Sequence, residues 1–313
     1  MKPQPIGITG GTLKLGYRFQ RYWDTPMASA FFCGETGAGL FLVSMLLGLM
    51  PGMILGLLVT GVGKTYFHLS HMGVPAKSWR AILRPDRSWV SRGLIAIVLF
   101  IGFGTVHVLD QTYGLVPTVL AALGIDSLGV AGALSTLIAA VAGVAALVVI
   151  TYQGLAMSHS SAIALWSTGL MPVGGLAYAP LAGTAVAAAL IASGWGAGQV
   201  DVIGLLVKVN LGLLALALGV VLGVLHGANF NSKGGHQSVE LLLKTLYARP
   251  FIALVFGIGM AVPVLILLLV APNPAMLWTV AVSELVGYFA FRVLMFKAGV
   301  FEPILDISDG LLR

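Results

Sequence analysis

Residues 27–71 read MASAFFCGETGAGLFLVSMLLGLMPGMILGLLVTGVGKTYFHLSH, and only Glu35 and Lys64 in that stretch are charged. A helix needs about 20 apolar residues to cross the hydrocarbon core of a bilayer. The stretch is long enough for two such helices, 27–48 and 51–71, with Pro51 opening the second. The same pattern recurs at 93–112, 127–152, 174–194, 202–228, 250–271 and 275–297. Across the 313 residues, 58% are hydrophobic and 9% charged, whereas an ordinary soluble domain has about 25% charged residues. A water-soluble fold could not hide so much apolar surface. The expected fold is an all-α integral membrane protein of eight transmembrane helices. It comprises an N-terminal tail (1–26), a membrane domain (27–297) and a C-terminal tail (298–313). Composition excludes a soluble enzyme, a disordered chain and a disulfide-stapled secreted domain.

Outward from these spans, the basic residues set the orientation, because cytoplasmic loops accumulate Lys and Arg. Fourteen of the 17 Lys and Arg fall in four places: the N-terminal tail, the link after the second span, the link after the sixth, and the C-terminal tail. They include Lys2, Lys14, Arg18 and Arg21 at the start, and Lys297 and Arg313 at the end. The four links on the other side carry none, so both termini are expected in the cytoplasm. The segment HLSHMGVPAKSWRAILRPDRSWVSRG, 68–93, is the densest. Its Lys77, Arg80, Arg84, Arg87 and Arg92 face one anion, Asp86, with Trp79 and Trp89 interleaved. It reads as positive-inside topology and as a docking surface for a cytoplasmic partner. Residues 1–26 hold Pro3, Pro5, Gly7, Gly10 and Gly11 and no apolar core, which argues against a cleavable signal peptide. The net charge of +6 lies in no extended basic run, and nucleic acid is not an expected partner.

Each ionisable residue inside a span costs about 2.5–3.5 kcal/mol on insertion scales and needs a reason. Glu35 and Lys64 lie at matching depths and are expected to pair or to relay a proton. His68 follows Lys64 by one turn, and His71 ends the same stripe. Tyr152 closes the fourth span, followed by Ser158 and His159, and His226 lies near the cytoplasmic end of the sixth. His107 and Asp110 lie toward the opposite end of the third span. Glu284 and Arg292 form an expected couple in the eighth. Polar groups thus gather at the cytoplasmic ends, where a lipid-soluble quinone could enter sideways and find donors and proton carriers.

The run 61–65, Gly-Val-Gly-Lys-Thr, resembles the end of a phosphate loop but lacks its first glycine and a preceding strand. The small residues at 34–39 are expected to form a close-packing helix face, as are Gly219, Gly223 and Gly227. The single Cys33 forbids an internal disulfide and an iron–sulfur cluster held by this chain alone. A haem would need two facing histidines at one depth. His68 and His226 are the only candidates, and neither lies well inside its span, so neither haem nor metal is expected.

The glycine motif at 34–39, the His-Leu-x-x-x-Gly-x-Pro-x-x-x-Trp-Arg-Ala segment at 68–81 and the Ser-Trp-Val-Ser-Arg run at 88–92 resemble the NrfD/DmsC family. The resemblance spans the chain in span count and is specific over about 28–95. These proteins anchor complex iron–sulfur molybdoenzymes such as dimethyl sulfoxide and polysulfide reductases in the membrane. The resemblance implies a bound quinone, menaquinone or ubiquinone, close to an iron–sulfur subunit. That subunit exchanges electrons with a molybdenum or tungsten catalytic subunit, so the iron–sulfur clusters and the metal cofactor belong to partners. His68 matches the family histidine tied to quinol binding. Lys64, Tyr152 and His226 are the further expected quinone contacts. Many relatives carry an acidic residue where this chain has Gly93, and Glu35 stands in as proton carrier. The charge pattern puts the histidine-bearing loop, and hence the catalytic partners, on the cytoplasmic side of the inner membrane. An anchor of this kind also looks similar to that of phenylacetyl-CoA:acceptor oxidoreductase, whose substrate is intracellular. Two competing readings are a secondary transporter built on Glu284 and Arg292, and a passive scaffold that only recruits partners.

Overall fold

The computed structural model describes residues 18–125, 127–196 and 200–302. Lys2, Lys14, Arg313 and most of both tails lie outside the described residues.

Helix α1 (Thr25–Leu47) starts where the Asp24 carboxylate accepts the Met27 N–H at 3.3 Å. It ends at Gly48, whose left-handed φ of 64° a side chain would resist. Then follow α2 (Met50–Leu58), a π-helical turn (Val59–Lys64) and α3 (Thr65–His71). A 3-10 stretch (Pro75–Leu83) leads to α4 (Trp89–Tyr113), capped by the Ser88 side chain, and to the short α5 (Leu115–Ala122). Buried Asp110 holds the α4–α5 turn by accepting the Val116 N–H at 2.8 Å. Helix α6 (Leu128–Ser158) and α7 (Leu170–Leu190) come next, the latter running on through a π turn (Ile191–Trp195). Helices α8 (Ile203–Asn231) and α9 (Lys233–Leu243) follow. Then come α10 (Ala248–Pro250), a π segment (Phe251–Ala261), α11 (Val262–Leu269) and α12 (Pro274–Lys297).

Among the described residues, seven helices are long and apolar enough to cross a membrane. They match seven of the eight expected spans. The remaining one, 51–71, is helical throughout but changes hydrogen-bonding register twice, at the π turn. The fourth expected span ends too early at 152, because α6 continues to Ser158.

The helices divide into an enclosed set and a peripheral set. The apolar window of Leu170–Trp195 is 83% buried and that of α12 is 67% buried, against 28% for α4. The outer helices present Val98, Leu137, Val144 and Leu222 outward, the surface that lipid covers. Small residues let the inner helices close on one another. A Cβ on Gly56 would stand 2.6 Å from the Gly37 carbonyl oxygen, and one on Gly39 would strike the Ala179 backbone of α7. The face at 34–39 therefore packs as expected. The second glycine face does not. Gly219 and Gly227 point into open space, and only Gly223 meets a neighbour, Leu170. Helix α8 lies at the edge of the bundle, so most of its glycines look outward.

The two ends of the described chain meet. Strand β1 (Arg18–Phe19) pairs antiparallel with β2 (Val300–Phe301). Beside this ribbon Trp23 stacks on Trp166 at 5.2 Å, and the Trp166 indole N–H donates to the Met295 carbonyl at 2.9 Å.

Candidate functional site

The small-residue face of α1 brings the backbone of α2 and its π turn close, and the polar groups of the spans converge there. Glu35 is wholly buried and Arg292 of α12 is 1% exposed. The Arg292 Nη2 stands 2.6 Å from each Glu35 carboxylate oxygen. Its Nε donates to the Tyr288 hydroxyl one turn earlier, at 3.0 Å. The Tyr288 ring stacks on Tyr178 of α7, centroids 4.2 Å apart and 8° from parallel. The buried Tyr178 hydroxyl has no partner.

Lys64 ends the π turn. A π turn adds a residue per turn and commonly marks functional sites. The Lys64 Nζ donates to Gln153 Oε1 at 2.7 Å and to the Ala30 carbonyl at 3.2 Å. It also lies 5.3 Å from the centre of the Tyr152 ring. Gln153 is held in turn by donating to the Phe31 carbonyl at 3.3 Å. An ammonium has three donors, so one N–H of Lys64 is left after these two bonds. Gly34 leaves the space for this lysine, since a Cβ there would come within 2.9 Å of Nζ.

One turn beyond, the His68 Nδ1 is buried without a hydrogen-bond partner among the described residues. A buried polar atom left unmatched costs about 1–3 kcal/mol, and such atoms are often matched by ligand. His71 does different work. Its Nδ1 meets Asp24 at 3.0 Å, tying the end of α3 to the N-cap of α1.

The expected groupings are partly rearranged. Glu35 and Lys64 share the network without bonding to each other. Arg292 takes both carboxylate oxygens, while Lys64 spends two of its three N–H bonds on neutral acceptors. The Glu284–Arg292 couple is not formed, since Arg292 turns to α1. Tyr152 is buried beneath Lys64, with its ring against Gly93 where a Cβ would collide with it. That contact leaves no room for an acidic side chain at 93. His226 is exposed on α8 and lies against Phe230, ring centres 4.8 Å apart and tilted by 53°, apart from the network. Rotation of α8 about its own axis, invisible to a depth count, decides this.

Of the docking cations, Lys77, Arg80, Arg84 and Arg87 are exposed. Arg92 holds its own loop instead. It donates to the Pro85 and Asp86 carbonyls at 2.7 and 3.2 Å and lies 4.4 Å from the Trp89 ring centre. Sequence reasoning missed Gln153, because the span had been ended one residue before it. It also missed the Tyr178–Tyr288 stack, because tyrosines in apolar helices carry no visible polar signal. Among the described residues, no three His, Cys, Asp or Glu side chains gather as metal ligands do.

The family described as "Polysulphide reductase, NrfD" matches residues 15–303. Comparison with curated proteins returned no match. The chain belongs to the NrfD family. Its members are membrane subunits of redox enzyme complexes, which generally interact with quinone and anchor iron–sulfur and molybdenum enzyme subunits.

Proposed function

We propose that this chain is the quinone-binding membrane anchor of a molybdenum or tungsten iron–sulfur oxidoreductase. It would pass electrons between a cytoplasmic iron–sulfur subunit and the membrane quinone pool. The observation that carries the reading is a pair of unspent hydrogen-bonding groups on successive turns of one helix: the third N–H of Lys64 and the His68 Nδ1, without a partner among the described residues. The Lys64 N–H suits a quinone carbonyl oxygen, as does Nδ1 of His68 in its Nδ1–H tautomer, while the other tautomer accepts from a quinol hydroxyl. A quinone, when bound, supplies two-electron, two-proton redox chemistry. Lys64 and His68 would bind and orient it, with Tyr152 walling the site. Glu35 is the carboxyl of the network and its proton-carrier candidate. Exchange with a ligand would require Arg292 to release one of its oxygens.

Parity supports eight crossings. The pairing of β1 with β2 joins residues 18–19 to 300–301, and such a pairing supports an even number of crossings between them. Seven helices qualify by length among the described residues, and the helical run 50–71 would be the eighth. The charge pattern makes that side cytoplasmic, with 27–297 as the membrane domain between tails 1–26 and 298–313. The exposed Lys77, Arg80, Arg84 and Arg87 form the docking surface for the iron–sulfur partner there.

Replacing His68 tests the reading. His68→Ala in the native complex is expected to weaken quinone binding about tenfold, the factor for one hydrogen bond of about 1.4 kcal/mol. Thermal stability should hold, since Nδ1 has no protein partner to lose. Unchanged binding and quinone-linked turnover would leave only the passive scaffold. Copurification of iron, molybdenum or tungsten, and two larger subunits would establish the partners.

A further inference from the structure

A second buried polar cluster lies apart from the network described above. Glu284 of α12, Asn210 of α8 and Thr184 of α7 meet at 2%, 3% and 4% exposure. Glu284 is ten residues from the start of α12 and thirteen from its end, about 15 and 20 Å along the axis. It therefore lies deep in the bundle, about 12 Å along the helix from Arg292.

The cluster is short of one hydrogen. The Asn210 amide nitrogen lies 3.3 Å from Glu284 Oε2, 3.2 Å from Thr184 Oγ1 and 3.3 Å from the Leu181 carbonyl. The Thr184 hydroxyl lies 2.9 Å from the Pro180 and Leu181 carbonyls of its own helix, so its hydrogen is directed there. Two acceptors then remain buried and unmatched, Glu284 Oε1 and Asn210 Oδ1. Turning the amide over would only set two oxygens against each other.

Among the described residues no cation compensates the carboxyl. The π segment and α11 packed against α12 contain no ionisable residue over 251–269, nor does the turn Ile191–Trp195. Helix α7 brings only Tyr178, and α8 only Lys208 and His226, both exposed. On α12 itself Tyr288 and Arg292 face the first network, and Lys297 ends the helix. On α1, Glu35 is held by Arg292 and Cys33 lies beside Gly63. A buried carboxylate without a counter-charge is among the costliest groups a protein can hold.

We infer that the Glu284–Asn210 pair is a proton-binding site within the membrane. The proton rides on Glu284 Oε1 and is donated to Asn210 Oδ1, while the Asn210 amide donates to Glu284 Oε2. The result is a closed acid–amide pair in which one proton satisfies both unmatched oxygens. The site stands whether or not the quinone reading holds.

Infrared spectroscopy of the purified protein in lipid vesicles at neutral pH tests it. The wild type should show the carbonyl stretch of a protonated carboxylic acid, shifted downward in deuterated water. Glu284→Gln should lose that band. A wild-type-minus-variant difference showing a carboxylate stretch instead would overturn the proposal. Loss of the wild-type band when sodium chloride replaces choline chloride would also overturn it, by making the site a metal-cation site. Should Glu284→Gln fail to assemble, Asn210→Leu keeps the acid and removes its partner. The acid band must then move, and an unmoved band would refute the pairing.

Discussion

Two buried carboxyls share this bundle and are handled in opposite ways. Glu35 has a guanidinium against both oxygens. Glu284 has an amide against one oxygen and nothing against the other. Burial is nearly complete in both cases, so solvent does not explain the difference. The partner does. A paired ion makes each member dangerous without the other, whereas an acid–amide pair is neutral and tolerates a neutral replacement. The comparison teaches that burial alone does not identify a charge site in a membrane; the hydrogen count around it does.

The largest effect should come from Arg292→Leu, which strands the Glu35 carboxylate. Breaking a buried pair from one side costs about 3–5 kcal/mol, read as a lowered thermal midpoint in detergent. Removing both charges in Glu35→Leu/Arg292→Leu should recover most of that loss, and a double variant no better than the single would break the contrast. At the other carboxyl, Thr184→Val keeps the shape and removes one acceptor of the Asn210 amide, for about 1 kcal/mol. Smallest is Glu284→Gln, a neutral mimic of the protonated acid, expected to change stability by less than about 0.5 kcal/mol. A loss as large as that of Arg292→Leu would mean the two sites are of one kind.

The spans were legible because hydrocarbon enforces long apolar runs, and the family motifs at 68–81 and 88–92 led to His68. The partners were not. Glu35 and Lys64 share a depth, yet depth says nothing of rotation. Helix α12, the last to be made, supplies the partner of Glu35 from a position no local spacing reveals. The outward face of His226 was hidden for the same reason, since rotation about the axis of α8 leaves no mark in the sequence. Residues 50–71 were readable as apolar helix, but their π turn was not. It lies where Gly37 and Gly56 bring the two helices close, a tertiary fact.

The bond between Glu35 and Arg292 joins residues 257 positions apart. Chains are made at about 5–20 residues per second. The first span therefore waits roughly 13–50 s for its counter-charge. Through that interval Glu35 must either sit protonated in lipid or stay sheltered beside the insertion machinery. Completion of α12 is what releases it, which makes the last helix the timing signal for assembly of the first.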